Sequence, residues 1–128
     1  MRKNFFVLVF TLGLIGFSTH ATAGIDSCKT VLDSTGFANF IANIAQQDFD
    51  DAKITIISNS LETKCFSCDQ IKTLLELFSF EEDKISIVKK AYGRVFDPRN
   101  FDVIYTVFEF DSSKNEIKQH IDGLLKTN

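Results

Sequence analysis

The chain has little of what interrupts a fold and little of what usually builds a reaction centre. One proline and six glycines in 128 residues leave no low-complexity linker, so a compact and regular domain is expected. Two histidines are present, and no G-x-S-x-G, H-E-x-x-H or glycine-rich phosphate loop occurs. Their absence removes the sequence signatures of serine hydrolases, zinc proteases and phosphate-binding loops. Asp48-Phe-Asp-Asp51 gathers carboxylates, yet the central glycine and terminal glutamate of a calcium loop are missing. The other acidic residues sit at helix starts and do not converge, so paired-carboxylate hydrolysis has no basis either. No catalytic residue, metal ligand set or cofactor is assigned, and an enzyme is not the expected class.

Residues 1–23 carry the three parts of an export leader in order. Met1-Arg2-Lys3-Asn4 is a short positive start, Phe5 to Phe17 is an almost unbroken apolar run, and Ala21-Thr22-Ala23 is a small-x-small cleavage site. Thirteen apolar residues fall short of the roughly 20 that a membrane span needs. Gly24 stands where a lipoprotein would carry cysteine. The expectation is a secreted or periplasmic protein cleaved after Ala23, with no stable membrane span afterwards and one domain over residues 24–128. Loss of Arg2 and Lys3 takes the basic count from 14 to 12 against 17 acidic residues, a formal charge of −5. Nucleic acid and anionic membrane surfaces both need a basic patch, so neither is expected as a partner. His20 leaves with the leader, and His120, between Gln119 and Ile121, reads as an exposed side chain rather than a zinc ligand.

A repeat dominates what remains. Phe49-Asp-Asp-Ala-Lys53-Ile-Thr-Ile56, Phe80-Glu-Glu-Asp-Lys84-Ile-Ser-Ile87 and Phe110-Asp-Ser-Ser-Lys114-Asn-Glu-Ile117 superimpose without gaps, 31 and then 30 residues apart. Nine residues before each phenylalanine lies Phe40, Ile71 or Phe101, followed one turn later by Ile44, Leu75 or Tyr105. The unit reads as a helix, a tight junction at the phenylalanine and a second helix. The fold class expected is all-α, with about six short helices in three helix-pair repeats, as a small solenoid or bundle.

Local signals place helices near residues 35–46, 51–60, 68–78, 82–93, 98–108 and 113–126. Ser67-Cys-Asp-Gln70 is a capping box, Ser113-Lys-Asn-Glu116 offers a second, and Asp97-Pro98 sets an N-cap residue before proline at the first helical position. Ile54, Ile57 and Leu61, then Ile85, Val88 and Tyr92, then Ile117, Ile121, Leu124 and Leu125 fall at helical spacing and predict one buried stripe each. Gly93 reads as the stop of the fourth helix. The β-branched run from Lys53 to Ser58 leaves a strand as the competing reading there. Ten of the 14 phenylalanines follow the leader and recur beside Ile and Leu, which predicts core packing. Acidic residues after Phe49, Phe80 and Phe110 oppose the dipole of the next helix, and Lys53, Lys84 and Lys114 are expected to extend into solvent, with an ion pair to a neighbouring repeat as the alternative.

Gln70-Ile-Lys-Thr-Leu-Leu-Glu-Leu-Phe-Ser-Phe-Glu-Glu-Asp-Lys-Ile85, Ala91-Tyr92, Asp97-Pro-Arg-Asn-Phe101 and Phe108-Glu-Phe110 resemble domain-of-unknown-function family 4476, with similarity from about Phe37 to Ile121. Its members occur in exported bacterial proteins and in animal proteins. The resemblance implies a helical domain with no assigned activity, and it carries over no catalytic residue. Similar bacterial members tend to have one cysteine before the first repeat and one just before the capping box. This implies a disulfide between Cys28 and Cys65, with Cys68 as an additional thiol.

From the residues alone, three cysteines in an oxidising compartment allow three single disulfides. In the chain-entropy model, closing the Cys28 to Cys65 loop stabilises by roughly 4 kcal/mol, against about 2 kcal/mol for Cys65 to Cys68. The alternative is a redox-active Cys65-Phe-Ser-Cys68 pair, with Cys68 at a helix N-terminus that favours a thiolate. Its context lacks a βαβ pattern, and Pro98 begins a different helix.

Stacked helix pairs expose surfaces that bind proteins or peptides. The leading expectation is thus a non-catalytic interaction or structural domain whose partner is another envelope or extracellular protein or peptide. A small thiol-disulfide redox protein is the second class, and a hydrophobic-ligand carrier, suggested by the phenylalanine content, is the third. Arg94, Arg99 and Lys118 are candidates for a partner surface only because nothing structural requires them.

Overall fold

A computed structural model describes Cys28 and residues 30–127. The leader expected over residues 1–23 and its cleavage site lie outside the described residues. Within them the fold is all-α: α1 (Ser34–Ala45), α2 (Asp50–Thr63), α3 (Cys68–Leu75), α4 (Glu81–Ala91), α5 (Asp102–Tyr105) and α6 (Asp111–Lys126). No helix among the described residues is long and apolar enough to cross a membrane.

The β-branched run from Lys53 to Ser58 lies inside α2, where Ile57 and Leu61 are buried and Ile54 half-buried. Burial of one face thus outweighs the weak helix propensity of these residues. The same chemistry wins less completely near residue 103. The single helix expected over 98–108 is a 3-10 turn at Pro98–Asn100 followed by the one-turn α5. Its backbone closes by i to i−3 bonds, from Phe101 N to Pro98 O, Ile104 N to Phe101 O and Phe108 N to Tyr105 O. Val103, Ile104, Thr106 and Val107 are all β-branched, and their crowding against the preceding turn disfavours a longer α-helix.

Ser67 caps α3 as the sequence implies: its hydroxyl accepts from Gln70 N at 3.1 Å and Gln70 Oε1 accepts from Ser67 N at 3.0 Å. Gly93 follows Tyr92, the C-cap of α4, and so marks the end of that helix, within a 3-10 turn, Tyr92–Arg94, and without positive φ. Two other local expectations are corrected. The Ser113 box does not form, because α6 begins two residues earlier and Ser113 lies buried within its first turn. Leu124 and Leu125 are exposed, because α6 runs past the end of α4 and its stripe ends at Ile121.

The helices form two rows. α4 packs between α2 and α6, while α3 packs on α4 and α5, and α1 on α2. Ile44, Ile57, Ile71, Leu75, Ile87 and Ile117 have no exposure at all and hold the rows together, each contributing about 1.5–3 kcal/mol by burial. The extended link after α2 threads this core: Phe66 is fully buried, its N–H donates to Arg94 O at 3.3 Å, and its carbonyl accepts from Phe96 N at 2.9 Å. Its ring packs on Phe40 and Phe37, at centroid distances of 5.5 and 6.4 Å.

Candidate functional site

The feature that separates this domain from a plain helical core is its three junctions. Phe49, Phe80 and Phe110 are the N-cap residues of α2, α4 and α6, all in extended conformation, with φ and ψ of −112° and 135°, −95° and 133°, and −93° and 132°. A phenylalanine has no oxygen with which to cap a helix, and none of the three makes a side-chain cap bond. Their rings point outward, with 76, 66 and 62% of each residue exposed. The core packing expected of these three phenylalanines is therefore corrected. Phe78 and Phe108, two residues earlier, fill the core in their place at 4 and 3% exposure.

The three junctions share one edge of the domain. Glu81, at the start of α4, reaches the start of α6: its Oε1 accepts from the backbone N–H of Glu109 and Phe110, and its Oε2 from the Ser113 hydroxyl. Burial opposes ionisation of Glu81, but these three donors and the Lys84 charge outweigh it and hold the carboxyl below its ordinary range. At the other seam, Asp83 is pushed above the ordinary range, by burial first and then by the charges of Asp50, Asp51 and Glu82.

The junction lysines are not simply solvated. Lys53 Nζ lies 2.8 Å from Asp50 Oδ1 and 5.8 Å from the centre of the Phe78 ring, just before α4. Lys84 Nζ donates to Val107 O at 3.2 Å, just before α6. Lys114 stays near Asp111 at 3.6 Å. The half-buried stems cover apolar surface while the heads find oxygen, which explains why solvation loses at the two inner positions.

Between Phe80 and Phe110 lies an open groove of about 480 Å³, lined also by Ser79, Glu82, Ile85, Ser112 and Glu116. Glu82, Glu109 and Glu116 are exposed around it. Of the other surface candidates, Arg94 is half-buried, with its Nε enclosed and without a hydrogen-bond partner. Arg99 is exposed, and Lys118 lies over the Tyr105 ring, 5.3 Å from its centre.

The cysteines gather around the link between α2 and α3: Cys65 lies in it, Cys28 comes from the segment before α1, and Cys68 is the first residue of α3. Cys28 and Cys65 are bonded, with Cα atoms 5.6 Å apart, and Val31 bridges Cys65 alongside them. Cys28 Sγ is 3.2 Å from Arg94 O, a contact and not a hydrogen bond, since a disulfide sulfur has no proton. Cys68 is a free thiol with no exposure. Its Sγ donates to Asp97 O at 3.3 Å and its N–H to Asp97 Oδ1 at 2.7 Å. Burial first, and then the Asp97 carboxylate, push this thiol up to about 12. Helix-terminus activation is overridden because the N–H that would stabilise a thiolate is already given to Asp97.

Two residues here escaped the sequence reading. Asp97 was legible as a cap before Pro98, yet its carboxylate caps α3 across 29 positions of chain. Glu81 was legible as a dipole partner of α4, and its reach to α6 had no local signal. His120 is half-buried, and among the described residues no group of three or more His, Cys, Asp or Glu side chains is placed to hold a metal ion. The aromatic core pairs with itself: Phe101 lies edge-on to Tyr92 and Tyr105, at 5.2 and 5.7 Å between centroids.

The family profile described as Domain of unknown function (DUF4476) matches residues 31–121, and the chain belongs to that family. No curated protein matches the chain. No solved structure matches it.

Proposed function

We propose that this member of the DUF4476 family is an exported, non-catalytic protein-interaction domain whose contact surface is the row formed by Phe49, Phe80 and Phe110. One observation carries the reading: three large rings at matching positions are 62 to 76% exposed, whereas the rest of the repeat's apolar positions pack inward. Exposed aromatic side chains grouped on one edge mark contact surfaces, because water around them is released when a partner covers them. The Cys28–Cys65 disulfide suits an oxidising compartment outside the cytoplasm.

The redox alternative is the weaker reading. Cys65 is bonded to Cys28, and Cys68 is a buried thiol held protonated at neutral pH, so the pair lacks both its disulfide and its nucleophile. A carrier of apolar ligands is weaker too, since Phe66 and Phe101 pack on neighbouring rings and not around a space.

Site-specific photocrosslinking in cells that export the protein tests the proposal. Benzoylphenylalanine at positions 49, 80 and 110 should give discrete adducts to another protein, and the same probe at exposed Arg99 should not. Adducts absent at all three junctions, or equally frequent at Arg99, would sink the reading.

A further inference from the structure

We infer that the groove between Phe80 and Phe110 takes a cationic peptide segment that alternates basic with apolar side chains. The inference rests on the interaction surface proposed above and names the chemistry of its partner.

Half of the recognition is apolar: the groove brings together two exposed rings and Ile85. Its volume, about 480 Å³, accommodates a few side chains of an extended segment and not a folded domain. The rings lie at the starts of neighbouring helices, one on each side of the groove, so an extended segment laid in it can meet both with side chains of one face.

Charge supplies the other half. Among the described residues Lys84 is the one basic residue lining the groove, and its ammonium already donates to Val107 O. Glu81 is likewise engaged, by the Glu109 and Phe110 N–H groups and Ser113. Glu82 and Glu109 are exposed and form no ion pair among the described residues, while Glu116 shares Lys89 at 2.6 Å. The rim is thus negative, and carboxylates continue along the row, where Asp50 and Asp51 crowd Asp83. An acidic segment would be repelled. A second copy of the chain placed symmetrically on this face would set Glu82 and Glu109 against carboxylates of the same kind. Arginine or lysine alternating with leucine-like residues satisfies both the rim and the rings.

Fluorescence anisotropy with three labelled octapeptides tests this: alternating Arg and Leu, alternating Ser and Leu, and alternating Glu and Leu. The Arg/Leu peptide should bind most tightly and the Glu/Leu peptide should fail to bind. Phe80→Ser and Phe110→Ser should each weaken Arg/Leu binding by on the order of tenfold, with Phe96→Ser, at a ring exposed elsewhere, leaving it unchanged. The double variant Glu82→Gln, Glu109→Gln should bind several-fold more weakly and lose part of the salt dependence. All these side chains are exposed; thermal unfolding, measured alongside, should be unchanged for Phe96→Ser and the glutamine double variant, and unchanged or somewhat higher for Phe80→Ser and Phe110→Ser, which place a capping hydroxyl at a helix start.

Equal binding of Arg/Leu and Glu/Leu peptides, or no effect of the two phenylalanine variants, overturns the inference. So does self-association in sedimentation that Phe80→Ser abolishes, which would assign the groove to a second copy. Crosslinks at positions 80 and 110 without Arg/Leu binding remove the cationic class and leave the interaction surface standing. Absence of crosslinks removes the surface itself.

Discussion

Between α2 and α4, Asp50 lies within electrostatic reach of Asp83; between α4 and α6, at the matching positions one unit later, Glu81 accepts a hydrogen bond from Ser113. Asp50 and Glu81 each follow a junction phenylalanine, and Asp83 and Ser113 are each the third residue after the next one. The backbone geometry of the junctions is nearly the same. One methylene and one hydroxyl decide the outcome. The longer glutamate spans the seam and satisfies free donors at the start of α6, while the shorter aspartate turns back to Lys53 within its own helix. The covalent tie lies at the other end of α2, where Cys28–Cys65 joins the segment before α1 to the link before α3. A matching backbone thus says where a helix starts and leaves the force across the seam to side-chain length and charge.

Breaking the covalent link is expected to have the largest effect. With 37 positions between the cysteines, the paired substitution Cys28→Ser, Cys65→Ser should lose roughly 4 kcal/mol in the chain-entropy model. Hydrogen exchange should then rise first in α1 and in the Phe66 link, with α6 the last to respond; uniform loss of protection would show that the two seams do not differ in this way.

Glu81→Leu strikes the second seam. It strands the buried Ser113 hydroxyl and two backbone donors, for a loss of about 1–3 kcal/mol, whereas Asp50→Leu should cost a few tenths, the worth of an exposed ion pair one turn apart. Denaturant titration of both variants checks the order, and equal losses would dissolve the contrast.

The comparison sharpens if the first seam can be rewritten as the second. Asp50→Glu with Asp83→Ser should raise stability by about 1 kcal/mol, seen as an increase of about 4–8 °C in melting temperature. Either substitution alone should give less than half of that gain, because the acceptor and the donor are needed together.

The smallest effect is a difference in pH dependence. Glu81 has a lowered carboxyl in the folded state, so its contribution is complete above the ordinary glutamate value and disappears as pH falls through the lowered one. Asp83 has a raised carboxyl, so it destabilises once ionised in the unfolded chain as well, and acidification through the raised value relieves that penalty. The deficit of Glu81→Gln relative to wild type should therefore shrink below about pH 4. The advantage of Asp83→Asn should shrink as well, starting as the pH falls to the raised Asp83 value. Parallel melting curves from neutral to acidic pH read both, and a fixed difference across that range would contradict the assignment.

Much of the fold was legible because its signals are local. Helix periodicity, the Ser67 box and the Phe-acidic-x-x-Lys junctions each act within a few residues, and five of the helices follow from them, while the one expected after Asp97-Pro98 shrinks to a 3-10 turn and the one-turn α5. The exceptions have the same origin. A box at Ser113 obeys the local rule, yet Glu81 supplies the donors' partner from 32 positions away, and the helix starts earlier. Cys68 at a helix N-terminus obeys the rule for an activated thiol, yet Asp97 takes the N–H and burial removes the water a thiolate needs.

By itself the sequence determined the all-α class, the three junctions, and the choice of aspartate or glutamate at each, because propensity, capping and dipole interactions operate over one helical turn. Tertiary structure alone decided which phenylalanines face water. Phe78 and Phe80 are equally apolar and two residues apart, and only the packing of α4 between α2 and α6 makes one of them core and the other surface.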